Sequence, residues 1–69
     1  MALYYFFLFR NGEVVGQTDC HCTDDEAALE IGRALSAYQT VEIYSKSRFV
    51  TRVPQAKAPA LNVRNRQAR

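Results

Sequence analysis

Tyr4-Tyr5-Phe6-Phe7-Leu8-Phe9-Arg10-Asn11-Gly12-Glu13-Val14-Val15 is the stretch on which the fold turns. Asn11 and Gly12 both tolerate positive φ, as a two-residue type I′ hairpin requires. Taking them as the turn pairs Arg10 with Glu13 as opposite charges, Phe9 with Val14, Leu8 with Val15 and Phe7 with Gly16. Side chains alternate across a sheet, so the hairpin sorts into two faces. One holds Leu3, Tyr5, Phe7, Phe9, Val14, Thr18 and Cys20; the other holds Tyr4, Phe6, Leu8, Arg10, Glu13, Val15, Gln17 and Asp19. The first is the purer, and it is the expected core face.

Downstream, Thr23-Asp24-Asp25-Glu26 matches a capping box, with Thr23 as the cap and Glu26 reaching back from the third helical position. Ala27, Ala28, Ile31, Ala34, Leu35 and Tyr38 then recur at helical spacing, giving an expected helix over about 24–38. Gly32 inside it weakens the helix, and a close approach to the sheet is one reason to keep it. Residues 41–44 and 48–53 are β-branched and aromatic and read as two further strands. A three-residue loop, Ser45-Lys46-Ser47, puts Val41, Ile43, Phe49, Thr51 and Val53 on one face and Glu42, Tyr44, Arg48, Val50 and Arg52 on the other. Pro54 closes the last strand.

The order is ββαββ, an α+β domain over residues 1–53 with a four-stranded, mainly antiparallel sheet and one helix. One helix covers one face of such a sheet, so the other is left open. On the expected register the open face presents Tyr4, Phe6, Leu8, Val15, Tyr44 and Val50, and these are the expected interface residues. The run Tyr4 to Gly12, followed by Asp19 and by the acid-capped, Ala-rich start at Asp24 to Ala28, resembles short bacterial domain-of-unknown-function proteins common in alphaproteobacteria. Those open with a Tyr-Phe-rich strand, an Arg and a Gly-containing turn. The likeness covers roughly residues 3–53; Cys20-His21-Cys22 stands where the family has a longer Gly-containing stretch. The resemblance implies a small ββαββ-like domain and no activity.

Charge divides the chain in two. Residues 1–53 carry five basic and seven acidic side chains, net −2, whereas residues 54–69 carry Lys57, Arg64, Arg66 and Arg69 and no acid. With Pro54 and Pro59 and no apolar periodicity, 54–69 reads as a basic tail, flexible or ordered only on a partner, and its four cations are the expected contacts for an anionic partner. The apolar run at residues 1–9 is too short to span a bilayer and lacks the flanks of a signal peptide, so a cytoplasmic location is expected.

Chemistry-bearing motifs are sparse. Cys20-His21-Cys22 packs three metal-ligand types into adjacent residues. Zinc sites draw their ligands from separate pieces of chain, and strand geometry aims His21 away from both thiols. A ligand set shared between two subunits would lift that objection; otherwise Cys20 plugs the core and His21 faces water. Asp24, Asp25 and Glu26 suit a helix N-terminus rather than a cation loop. Gly12, Gly16 and Gly32 are too scattered to cradle a phosphate, so no cofactor is expected. The expected function is that of a small non-enzymatic interaction protein, self-associating or docking on a larger protein assembly through its aromatic sheet face. The alternative is a nucleic-acid-binding module using the tail and the sheet arginines.

Overall fold

The computed structural model describes residues 1–56. The elements are β1 (Ala2–Arg10), β2 (Glu13–Cys22), α1 (Asp25–Leu35), β3 (Thr40–Ser45) and β4 (Arg48–Val53). They form one antiparallel sheet in the order β2-β1-β3-β4. The ββαββ architecture expected from the sequence is therefore present. Lys57, Arg64, Arg66 and Arg69 of the basic tail lie outside the described residues.

Asn11 and Gly12 form the first turn, with φ of 53° and 81°. The pairs Arg10–Glu13 and Phe9–Val14 are as expected. Beyond them β2 bulges: Val15 is skipped, and Leu8 faces Gly16, Phe7 faces Gln17, Phe6 faces Thr18, Tyr5 faces Asp19 and Tyr4 faces Cys20. A bulge sets two residues against one and moves every later side chain of the bulged strand to the opposite face. Thr18 and Cys20 consequently join Tyr4 and Phe6, while Gln17 and Asp19 join Tyr5 and Phe7.

The core lies on the face with the even-numbered residues of β1, the reverse of the expected assignment. Tyr4, Phe6, Cys22, Ala28, Val41, Ile43 and Val53 are buried together, and Ala2, Leu8, Cys20, Ala27, Leu29, Ile31, Leu35 and Val50 pack around them. The cause is the pairing of β1 with β3, which sets Phe6 opposite Ile43 and Leu8 opposite Val41. Directly paired residues share a face, so the branched side chains of β3 carry Phe6 and Leu8 into the core with them.

The second hairpin also differs in its turn. Ser45 pairs with Arg48, leaving Lys46-Ser47 as the connection, and a second bulge lies between Ile43 and Tyr44. Val41, Ile43 and Val53 keep their expected face, but Phe49 moves opposite Tyr44 and leaves it. Lys46 adopts a φ of 58° although it has a Cβ.

Helix α1 starts one residue later than the capping box suggested. Asp24, not Thr23, is the cap: its Oδ1 accepts a hydrogen bond from the Ala27 backbone N–H at 2.9 Å. Aspartate is the stronger cap of the two, and the shift frees Asp25 in the first turn for tertiary contacts. The helix also ends earlier, at Leu35, so Ala34 and Tyr38 are exposed rather than part of a buried stripe. Ser36, itself buried, closes the end: its Oγ and backbone N–H both donate to the Arg33 carbonyl. The Gln39 side-chain amide donates to the Leu35 carbonyl at 2.8 Å. The Ala56 N–H donates to the Ser36 carbonyl at 2.9 Å, fastening the chain after β4 to this end of the helix.

Gly32 brings the helix against the sheet. A Cβ at this position would lie 2.7 Å from Ile43 Cδ1 and 3.4 Å from Val53 Cγ2. Gly32→Ala gains up to about 1 kcal/mol of helix propensity and loses about 1–3 kcal/mol to overpacking. The expected net effect is destabilisation on the order of 1 kcal/mol in denaturant unfolding. Ile43→Val removes the clashing methyl, so the double variant is expected to lose less than the sum of the two single losses.

Candidate interaction surface

With α1 on one side, the opposite face of the sheet is uncovered among the described residues. Register places Tyr5, Phe7 and Phe9 of β1 there, with Val14, Gln17 and Asp19 of β2 on one flank. Glu42 and Tyr44 of β3, then Phe49 and Arg52 of β4, complete it on the other. Tyr44 sits edge-on to Phe7 (centroids 5.6 Å apart, rings at 88°) and to Phe49 (5.3 Å, 70°). Such T-shaped contacts add to area burial and hold the three rings as a unit. Tyr5, Phe7, Phe9, Gln17, Glu42, Tyr44 and Lys46 line a shallow concavity of about 410 Å³.

Three polar groups of this face, Tyr44, Glu42 and Arg52, engage one another. Tyr44 Oη donates to Glu42 Oε1 at 3.0 Å, and Arg52 Nε lies 4.0 Å from Glu42 Oε2. The bond to Glu42, then partial burial, pushes the Tyr44 phenol above its ordinary range.

Only part of the expected interface lies here. Tyr44 does, and Val15 is exposed at the β2 bulge. Tyr4 and Phe6 are 3% and 0% exposed, and Leu8 and Val50 pack against the same core, so these four are corrected to core positions. The reason is the pairing with β3 for the first three and the β4 bulge for Val50. Tyr5, Phe7, Phe9 and Phe49 take their place. Gly16 carried the missed signal: a Cβ there would lie 3.3 Å from Leu8 Cδ1, which marks the site where β2 slips by one residue.

The buried Tyr4 reaches a polar partner at the edge of the core. Its hydroxyl donates to Asp25 Oδ1 at 2.6 Å, and Arg48 donates to both oxygens of the same carboxylate, at 3.1 and 3.3 Å. One carboxylate thus joins β1, the first turn of α1 and β4. Arg48, expected on the open face, is therefore held on the helix side. The Arg48 bond first, then that from Tyr4, hold the Asp25 carboxyl below its ordinary range. Its own bond to Asp25, then burial, push the Tyr4 phenol up.

Cys22 is buried, Cys20 is half-buried, and both are free thiols; His21 is exposed and pairs with Leu3 on the other face. Burial first, then the neighbouring Cys20, raises the Cys22 thiol above its usual range, which keeps it protonated. Among the described residues, no three His, Cys, Asp or Glu side chains are grouped to hold a metal ion, and no helix is long and apolar enough to cross a membrane. No family model matches the chain, and no curated protein or solved structure matches it either.

The Asp25 cluster sets an acid dependence. Its folded pKa lies below the unfolded value, so between the two the unfolded chain binds more protons and acid favours unfolding. The contribution is complete above about pH 3.9, the ordinary aspartate value, and is lost as pH falls through the folded pKa. Both side chains of the ion pair are more than half exposed, so screening by water keeps it modest. Asp25→Asn is expected to lower the melting midpoint at pH 7 and to flatten the acid limb of midpoint against pH. Wild-type and variant limbs that run parallel would remove this assignment.

Proposed function

We propose that this chain is a small non-catalytic interaction protein that docks through its open aromatic sheet face. The observation that carries the reading is the gathering of Tyr5, Phe7, Phe9, Tyr44 and Phe49 on the side of the sheet away from α1, with Phe49 51% exposed. A contiguous apolar patch on a small protein marks a contact surface, and aromatic side chains are the residues that interfaces favour. The groups around the rings suit a protein partner. Gln17 and Asp19 flank them on one side and Arg52 on the other, giving a polar rim around an apolar centre.

The nucleic-acid reading has less behind it. Of the three arginines expected on the open face, Arg10 donates to the Gln39 side chain, Arg48 is committed to Asp25 on the other side of the sheet, and Arg52 lies beside Glu42. The carboxylates of Glu42 and Asp19 stand among the rings, where a phosphate backbone would meet repulsion.

A photo-crosslinking residue placed at Phe49 and, separately, at Glu30 on the solvent side of α1 tests the reading in the cells that make the protein. Crosslinks to protein are expected from position 49 and not from position 30. Crosslinks from position 30 alone would overturn it.

A further inference from the structure

The open face carries its own charge complement. Across the sheet from β2 to β4, Asp19 stands on the first edge strand, the aromatic rings and Glu42 fill the middle, and Arg52, 4.0 Å from Glu42, stands on the last edge strand. Tyr5, Asp19, Tyr44 and Phe49 lie at one level along the strands, and Phe7, Gln17, Glu42 and Arg52 at the next. Asp19 and Arg52 are both exposed.

We propose that the occupant of this face is a second copy of the chain, packed open face to open face about a two-fold axis parallel to β1. The inference rests on the docking reading above and names its partner. Two sheets stacked in this way lie about 10 Å apart with their strands nearly aligned. Charge selects the axis. A two-fold parallel to the strands lays β2 of each copy over β4 of the other, bringing Asp19 toward the partner's Arg52 twice. A two-fold across the strands lays β2 over β2 and β4 over β4, so each edge meets its own charge and Asp19 does not meet Arg52. Like charges on facing edges repel and opposite charges attract, so charge favours the first arrangement. Asp19 and Arg52 sit one level apart, a step that the length of an arginine side chain spans.

The area sets how tightly such a partner is held. β1 and β2 are nine and ten residues long, and β3 and β4 six each. At ~3.3 Å per residue and ~4.8 Å per strand the face projects about 500 Å². With β2 laid over β4 and β1 over β3, two such faces share only the six-residue span of β3 and β4, on the order of 800 Å² in all, the size of a weak, transient contact. A two-fold contact also doubles each favourable pair, because the same patch serves both copies.

Sedimentation equilibrium of the full chain at near-physiological salt tests this. The expected result is a mass near twice 7.9 kDa at tens of micromolar. Asp19→Arg and Arg52→Asp, each outside the core, are each expected to weaken the dimer about tenfold, and the double reversal to restore most of it. Retention of the far-UV spectrum and of cooperative unfolding in each variant shows that the fold persists. A wild-type monomer across this range overturns the inference, as does a dimer whose constant is the same in all four proteins. A monomer that crosslinks to a different protein from position 49 overturns the second copy alone. A monomer that instead binds a single-stranded oligonucleotide with steep salt dependence overturns the protein-docking reading as well.

Discussion

Phe6 sits on a central strand, with Thr18 beside it on β2 and Ile43 on β3, and its ring is wholly excluded from water. One helix of eleven residues can shield only one side of four strands, so whichever face holds Phe6 is the core, and the described residues leave the other bare. The strand order decides which side that is. β2 and β3 both run antiparallel to β1 and so parallel to each other, making β2-α1-β3 a crossover over β1. Crossovers of this kind are right-handed almost without exception, so the side on which α1 lies follows once β3 pairs with β1. Gly32 then lets the helix backbone settle onto Ile43, and the small Ala28 completes the close approach.

Two features follow from that arrangement. The first is that a tyrosine enters the core. Tyr4 lies two residues from Phe6 on the covered side, and its hydroxyl must find a partner there, as buried hydroxyls do. Asp25 supplies it, and Arg48 holds Asp25 in place. The acid at the helix start therefore faces both the helix dipole and a tertiary cluster that binds β1, α1 and β4 together. The second is that Tyr5, Phe7 and Phe9 are left facing away from the helix, where Tyr44 and Phe49 extend them into one aromatic surface. The apolar content that looks like an oversupply for so small a core is spread over two faces, only one of which the described residues cover.

The parts of this that sequence makes legible are local. Asn11-Gly12 marks the turn because few residues accept its backbone angles, and the helix is visible from its spacing and its acids. Val41, Ile43 and Val53 read correctly as inward-facing because they are branched and evenly spaced. Face assignment in the first hairpin fails for two physical reasons. Apolar purity favours the Leu3, Tyr5, Phe7, Phe9 side, yet what buries a strand is its neighbour, and β1 meets β3 only through a contact some thirty-five residues away in the chain. The bulges at Val15 and in β4 then shift parity within a strand, a change that a regular two-residue alternation cannot express. Leu8 opposite Gly16 is the one local trace of the first, and Phe49 opposite Tyr44 is the result of the second.

Phe6 and Phe7, adjacent in sequence, lie on opposite sides of the sheet, one in the core and one on the open face. Denaturant unfolding of Phe6→Asp and Phe7→Asp, followed side by side by circular dichroism, tests it directly. A buried unpaired carboxylate is not tolerated, so Phe6→Asp is expected to lose the cooperative transition. Phe7→Asp is expected to keep it, because its side chain faces away from α1. Cooperative unfolding of the Phe6 variant alongside collapse of the Phe7 variant would contradict the account.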